Sequence, residues 1–135
     1  MVKIGLLGST GRVGSLLIDD LSEHKSAVLS AVHVYDEIKK VLPKDTVVTN
    51  DIKTLLNSCD AVIDFSAPSA TQSLLECVIE NNIKKPLVIA TTGFNKHQQN
   101  LLLEASKITP ILYATNMSLG VAVLNKLVSL ASKTL

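Results

Sequence analysis

Short apolar runs alternate along the chain with stretches in which apolar residues recur at helical spacing. Strands are predicted at Lys3–Leu7, Val28–Val34, Val47–Thr49, Ala61–Phe65, Leu87–Ala90 and Ile111–Ala114. Helices are predicted near Arg12–Glu23, Ile52–Ser58, Ser69–Asn82 and Lys96–Lys107, with a last one from about Leu119 to the end. Strands that alternate with helices are typical of a parallel sheet with crossover helices. The pattern therefore predicts an α/β fold with a doubly wound, mostly parallel sheet.

The last predicted helix is apolar around most of its circumference, which is typical of a helix buried on several sides. Its apolar positions are Leu119, Val121, Ala122, Val123, Leu124, Leu127, Val128, Leu130, Ala131 and Leu135. A domain of 135 residues has little with which to bury a terminal helix in this way. We therefore expect further chain, or a partner subunit, to pack over it.

Composition and charge narrow the classes of partner. The formal net charge is +1 and no basic cluster exceeds two adjacent lysines, so charge gives no support for binding nucleic acid or an anionic membrane. No apolar stretch is long enough to span a bilayer, and the N-terminus opens directly into a strand, so we expect a cytoplasmic protein. Cys59 and Cys77 stand in no metal-ligand spacing, and no metal site is predicted.

Three glycines, Gly8, Gly11 and Gly14, follow the first predicted strand and open the first predicted helix. This is the context of a dinucleotide fingerprint, in which glycines allow a tight turn, close approach of backbone to pyrophosphate, and close packing of helix on strand. The helix N-terminus supplies N–H groups for the phosphates. The spacing, GxxGxxG rather than GxGxxG, predicts a Rossmann-like cofactor domain, with a merely tight turn as the alternative.

The sequence leaves the choice between NADH and NADPH open. An acidic residue that holds the adenosine ribose is expected at the end of the second strand, but Val34 occupies that position. Asp36 or Glu37 could reach the ribose from the following loop. Lys39 or Lys40 could equally meet the 2′-phosphate of NADPH.

Three more loops follow predicted strands, and they contain Phe65-Ser66, Ala90-Thr91-Thr92 and Ala114-Thr115-Asn116-Met117. Ligands of open α/β sheets lie beyond the carboxyl ends of the strands, so these loops should share one rim with the glycine loop. Their small residues, hydroxyls and free backbone donors suit a carboxamide or a carboxylate. The alternative is that Ser69, Thr92 and Ser118 only cap helices, and Asn95 is a further predicted cap.

Four motifs in order carry a resemblance that spans the chain. They are Gly-x-x-Gly-Arg-x-Gly, Val-Ile-Asp-Phe-Ser-x-Pro, Thr-Thr-Gly-Phe and Asn-Met-Ser-x-Gly-Val, which start at Gly8, Val62, Thr91 and Asn116. The chain resembles the 4-hydroxy-tetrahydrodipicolinate reductase (dihydrodipicolinate reductase) family of bacterial lysine and diaminopimelate synthesis. The resemblance implies an oxidoreductase that transfers hydride from NADH or NADPH to a small cyclic dicarboxylate, and a parent protein that is a homotetramer.

The resemblance also implies where the cofactor lies. The predicted cofactor-binding residues are Gly8, Ser9, Thr10, Gly11, Arg12 and Val13 on the pyrophosphate and adenosine side, Phe65 and Ser66 beside them, Ala90, Thr91 and Thr92 at the nicotinamide end, and Ala114, Thr115, Asn116 and Met117 over the nicotinamide ribose and carboxamide. Thr92 is also expected near the substrate carboxylate. The family usually has glycine where Ala90 stands and an acidic residue where Val34 stands.

The family's catalytic His-His-x-x-Lys motif and its Ser-Gly-Thr substrate loop have no counterpart here, and no histidine follows His97. We therefore expect residues 1–117 to form the dinucleotide-binding domain and residues 118–135 to form a helix leading toward a missing C-terminal substrate domain. No catalytic residue is predicted in this chain. It is expected to bind cofactor with little or no turnover alone.

Two other functions are compatible with parts of the pattern. A redox-sensing domain that binds NAD(P) needs only the glycine loop, and another two-domain dehydrogenase would share the fold; both fit the later loops less well. Tyr35 and Lys39 match the Tyr-x-x-x-Lys pair of short-chain dehydrogenases, but they follow the second strand instead of lying on a late helix. Asp64 is expected to cap or orient the loop after its strand rather than act as a general acid.

Overall fold

The computed structural model describes residues 1–134, in which six strands alternate with five helices. The strands are β1 (Val2–Leu7), β2 (Ala27–His33), β3 (Val47–Thr49), β4 (Ala61–Asp64), β5 (Leu87–Ile89) and β6 (Ile111–Tyr113). The helices are α1 (Arg12–Glu23), α2 (Ile52–Asn57), α3 (Pro68–Glu80), α4 (Lys96–Ser106) and α5 (Leu119–Thr134). The predicted elements are confirmed, with ends that differ by at most two residues. Leu135, predicted in the last helix, lies outside the described residues.

The strands form one sheet in the order β3-β2-β1-β4-β5-β6, and every pairing is parallel. The chain therefore builds one half of the sheet outward from β1, returns, and builds the other half outward from β4. This is the doubly wound, Rossmann-like architecture that the alternation predicted. The order reverses between β1 and β4, which is the position where ligands bind in such sheets.

Alternate side chains of β1 point to opposite faces of the sheet, as strand geometry requires. Ile4 and Leu6 are buried in a cluster with Ile18 and Leu21 of α1. Leu7 belongs to a second and larger cluster, which includes buried leucines of α2 and α3. The two clusters hold helices on both faces of the sheet and so fix the strand ends that carry the loops.

Helix α5 differs from the other helices because none of its described side chains is buried. Leu119 is 80% exposed, and apolar residues further along the helix are also exposed to solvent. Residues 1–134 thus provide no cover for the apolar surface that the sequence pattern predicted, and a covering segment or subunit stays a prediction. Within the same residues, no helix is long and apolar enough to cross a membrane.

Candidate functional site

A cavity of about 300 Å³ lies at the carboxyl edge of the sheet, where β1 and β4 end side by side. It is lined by Gly8, Thr10, Gly11, His33, Tyr35, Phe65, Ser66, Ala67, Ser69 and Ala70. We refer to it as the β1–β4 cleft. The loops after β5 and β6 follow along the same edge, because these strands continue the sheet beyond β4.

Two glycines of the first loop are required by close contacts between backbone segments. Gly8 has a φ of +85°, and a Cβ placed on it would lie 2.4 Å from the carbonyl oxygen of Phe65. A Cβ on Gly14 would lie 2.1 Å from the carbonyl oxygen of Gly8. These distances leave no room for a side chain, so the start of α1, the glycine loop and the loop after β4 are packed backbone against backbone.

Gly11 is packed less closely than Gly8 and Gly14, although a Cβ on it would still make a tight contact. The nearest atom to a Cβ built there is the carbonyl oxygen of Gly8, at 3.3 Å. Gly11 is the N-cap residue of α1, and no side chain caps the first turn of this helix. The backbone N–H groups at the start of α1 are therefore available beside the cleft, and helix N-termini of this kind bind phosphate.

Ser9 and Thr91, two of the predicted cofactor-binding residues, turn their hydroxyls into the protein. The Ser9 hydroxyl donates a hydrogen bond to the carbonyl oxygen of His33 at 2.9 Å, and its residue is 2% exposed. The Thr91 hydroxyl donates to Oδ1 of Asp64 at 3.2 Å. Any contact from these two residues to a ligand would therefore use backbone atoms. The neighbouring Thr10 and Thr92 are exposed.

Asp64, the last residue of β4, is completely buried. Burial raises the pKa of its carboxyl, while hydrogen bonds from Ser66 and Thr71 act in the opposite direction. Its Oδ1 accepts a hydrogen bond from the backbone N–H of Ser66 at 2.9 Å. The prediction that Asp64 orients the loop after its strand is confirmed.

The N-cap residues of α3, α4 and α5 show which of the hydroxyl residues in the later loops cap a helix. Ala67 is the N-cap of α3 and Asn95 is the N-cap of α4, so neither Ser69 nor Thr92 caps these helices. The Ser118 hydroxyl does accept a hydrogen bond from the backbone N–H of Val121, at 3.4 Å, as predicted for a cap of α5. Exposed Thr92 therefore has no capping role in α4.

Aromatic stacking joins the loop after β5 to the end of β6. Phe94 follows β5, and its ring stacks on that of Tyr113, the last residue of β6, with a centroid separation of 5.5 Å. This contact fixes the Thr91–Phe94 loop beside the strand that leads to Asn116 and Met117. Those two residues are exposed, as is Thr115 between them and β6.

The end of β2 forms the outer wall of the cleft. His33 and Tyr35 line it and contact each other edge to face, with ring centroids 4.8 Å apart. Neither residue was among the predicted cofactor-binding residues. Their position at the carboxyl end of the strand adjacent to β1 is the signal that could have found them, because that end borders the same crevice.

A second cavity, of about 280 Å³, lies on the other side of the glycine loop. It is lined by Ser9, Thr10, Ser15, Glu37, Ile38, Lys39 and Lys40. Lys40 forms an ion pair with Asp19 at 2.6 Å and donates to the Ser15 hydroxyl at 2.9 Å, whereas Lys39 is exposed and forms no ion pair within residues 1–134. Val34 is partly buried and packs against the hydrophobic cluster that contains Ile18 and Leu21 of α1.

Neither cysteine is suited to nucleophilic chemistry. Burial raises the pKa of the Cys59 thiol and also that of the Cys77 thiol, which disfavours the reactive thiolate. Both cysteines are free. The described part of the chain contains no group of three or more His, Cys, Asp or Glu side chains placed to hold a metal ion.

Comparisons with known proteins agree on one family. A family model described as dihydrodipicolinate reductase, N-terminus, matches residues 2–117. The 4-hydroxy-tetrahydrodipicolinate reductases of Aliarcobacter butzleri and Sulfurimonas denitrificans are 77% and 55% identical over the full length of this chain, which corresponds to 52% of each relative. The chain thus spans about half the length of the curated relatives it matches.

Among solved structures, a dipicolinate-bound dihydrodipicolinate reductase from Paenisporosarcina sp. TG-14 superposes with a TM-score of 0.79 at 22% identity, over 98% of this chain and 54% of that one. A Plasmodium falciparum pyrroline carboxylate reductase with NADP bound gives a TM-score of 0.58 at 15% identity, over 83% of this chain and 41% of that one. At these identities the superpositions show a shared fold.

Proposed function

The chain belongs to the dihydrodipicolinate reductase family, and we propose that it is the cofactor-binding portion of a 4-hydroxy-tetrahydrodipicolinate reductase. The parent enzyme would transfer hydride from NADH or NADPH to a cyclic dicarboxylate in lysine and diaminopimelate synthesis. The nicotinamide supplies that chemistry when bound, and this chain supplies binding and orientation. A homotetrameric parent and a cytoplasmic location belong to the same proposal.

The single observation that carries the proposal is the β1–β4 cleft with the uncapped start of α1 beside it. Phosphates need donors and little steric bulk, and the segment from Gly8 to Val13 offers backbone N–H groups without a side chain at Gly11. The adenosine would lie toward His33 and Tyr35, since both line the cleft at the end of β2. Phe65 and Ser66 form the opposite wall.

The nicotinamide end would extend along the rim toward the loops after β5 and β6. Ala90 and Thr91 would contribute backbone contacts, while Thr92, an exposed residue, would meet the nicotinamide carboxamide or a substrate carboxylate. The segment Ala114–Met117 would close over the same end. A sensor of the redox pool would also bind a dinucleotide, but no contact in these later loops specifically favours that function.

We extend the proposal to cofactor choice: the chain accepts both cofactors, and Lys39 sets its affinity for NADPH. No carboxylate stands at position 34 to repel a 2′-phosphate, and the second cavity places Lys39 next to Thr10 of the glycine loop. Lys40 is engaged by Asp19, so of these two lysines Lys39 is the one without an ion pair within residues 1–134. Glu37 lines the same cavity, and its negative charge would limit the gain in NADPH affinity that Lys39 provides.

Paired calorimetric titrations of the 135-residue chain with NADH and NADPH test both parts. We expect weak binding of each. Lys39→Gln should reduce the affinity for NADPH about threefold to fivefold, the range of an exposed charge pair, and leave NADH within about twofold. Lys84→Gln, at an exposed lysine before β5, is the matched control. Absence of heat with either dinucleotide at millimolar concentration contradicts the proposed function, and equal losses for both cofactors contradict the role of Lys39.

A further inference from the structure

The buried carboxylate of Asp64 joins three segments of the rim. Oδ1 accepts hydrogen bonds from the backbone N–H and the hydroxyl of Ser66, in the loop after β4, and from the hydroxyl of Thr91, in the loop after β5. Oδ2 accepts a hydrogen bond from the hydroxyl of Thr71, in α3. All these donors are uncharged, and the carboxyl group has no exposure to solvent.

A buried carboxylate is costly unless its oxygens are fully hydrogen-bonded, so each of these donors is needed where it is. The network is closed further by Ser66, whose backbone N–H also lies 3.2 Å from the hydroxyl oxygen of Thr91. Asp64 therefore fixes the separation between the loop after β4 and the loop after β5. These loops hold the adenosine side and the nicotinamide side of the proposed cofactor site.

The same carboxylate controls the position of the glycine loop. Gly8 is packed so closely against the Phe65 carbonyl that a Cβ would lie within 2.4 Å of it. Asp64 holds the next backbone N–H, that of Ser66. The peptide between Phe65 and Ser66 is thus clamped between Gly8 on one side and Asp64 on the other, and a shift of this peptide would change the width of the β1–β4 cleft.

We propose that Asp64 is a positioning residue for dinucleotide binding, which it serves by setting the loops after β4 and β5 against the glycine loop; this inference rests on the proposed function. Asp64 touches no ligand in this role. It acts through Ser66, Thr91 and the Phe65–Ser66 peptide. The hydrogen bond from Thr71 anchors the carboxylate to α3 from the side away from the rim.

The two ends of this network separate positioning from simple stabilisation. Thr71→Val and Thr91→Val each remove one buried hydroxyl that donates to Asp64 and are nearly isosteric, so both should lower the stability of the fold. Only Thr91 belongs to a rim loop. We expect Thr91→Val to weaken NADH binding about fivefold or more and Thr71→Val to leave it within about twofold.

Asp64→Ala should weaken NADH binding at least about tenfold in calorimetry, because the loops lose their common anchor. Asp64→Asn retains one acceptor and offers an amide N–H to the Thr71 oxygen, so it should recover affinity to within about threefold of the unmodified chain. Asp60→Ala is the control at the opposite end of β4, where Asp60 accepts a hydrogen bond from the Lys3 backbone N–H at 2.8 Å. Circular dichroism establishes that each variant is folded at the titration temperature.

The outcomes are distinguishable. If folded Asp64→Ala binds NADH as tightly as the unmodified chain, or if Thr71→Val loses as much affinity as Thr91→Val, Asp64 has no positioning role. If Asp64→Ala does not fold, the pair of threonine variants decides alone. If the unmodified chain binds neither dinucleotide, the proposed function itself fails and this inference fails with it.

Discussion

Helices α1 and α4 begin at the same edge of the sheet, yet their first turns are built in opposite ways. Asn95 at the start of α4 accepts a hydrogen bond from the Gln98 backbone N–H at 2.9 Å, and the Gln98 side chain accepts one from the Asn95 backbone N–H at 3.0 Å. This is a complete capping box. Gly11 at the start of α1 offers no side chain at all.

The difference bears on the proposed cofactor site, because it decides which helix start has backbone N–H groups left for a ligand. The first N–H groups of any helix have no partner within the helix, and α4 satisfies two of them, those of Asn95 and Gln98, with its own side chains. The start of α1 leaves them to solvent or to an anion. Helix α3, on the opposite wall of the cleft, also has no side-chain cap, because its N-cap residue is Ala67. In α3, however, Pro68 has no N–H and the Ala70 N–H donates to the Ala67 carbonyl oxygen at 3.0 Å, so α1 has the more open of the two helix starts that border the β1–β4 cleft.

The largest effect on stability should follow from adding a side chain at Gly14, where the first turn of α1 packs against the backbone of the glycine loop. In Gly14→Ala the new Cβ would lie 2.1 Å from the Gly8 carbonyl oxygen. Although alanine in a helix is normally favoured over glycine by about 1 kcal/mol, the overlap should lower the free energy of unfolding by about 3 kcal/mol. Thermal and urea unfolding measure the change. Gly120→Ala in α5, where the nearest atom would be 3.7 Å away, is the control and should not destabilise.

Gly11→Asp should convert the open start of α1 into a capped one. Aspartate is a favoured N-cap, which should offset the tight contact of its Cβ with the Gly8 carbonyl oxygen at 3.3 Å, so the free energy of unfolding should change by no more than a few tenths of a kcal/mol. Dinucleotide affinity should fall about a hundredfold or more, because the carboxylate both occupies the N–H groups and repels phosphate. Calorimetry beside urea unfolding separates the two effects. Binding that survives within twofold would show that phosphate lies elsewhere.

Asn95→Ala should do the reverse at α4. Loss of the side-chain acceptor should lower the free energy of unfolding by about 1 kcal/mol, and NADH affinity should change by less than about twofold, since these N–H groups are already used within the protein. The same two measurements apply. A loss of affinity comparable to that of the Gly11 variant would place the start of α4 inside the site and remove the distinction between the two helices.

Secondary structure was predictable because it depends on local pattern. The predicted first and last residues of α1 and of β3 are the same as the observed ones. The start of α3 was missed by one residue, since Pro68 occupies the first helical position, where its missing N–H is harmless. The Asn95 cap was predicted for the same reason: a capping side chain and its target are neighbours in sequence.

Side-chain direction in the site was less predictable, because it depends on partners from other strands. Motif matching placed Ser9 and Thr91 among the ligand-binding residues without showing that their hydroxyls face inward. Their partners are the His33 carbonyl and the Asp64 carboxylate, which come from β2 and β4. Tyr35 was weighed only as a catalytic residue, and its place in the cleft follows from strand order, which no local pattern contains.

The strand order also governs how the chain assembles. Leu7 of β1 pairs with Asp64 of β4, although β2, β3 and two helices lie between them in sequence. Such non-local parallel pairing closes a long loop and is slow compared with local contacts. The β1–β4 cleft has one wall on the β1 side and one on the β4 side of this pairing. It therefore cannot form before the two strands pair. A dinucleotide that needs both walls would bind only the completed fold, so under the proposed function the resistance of the chain to unfolding would rise with the logarithm of the cofactor concentration once this exceeds Kd.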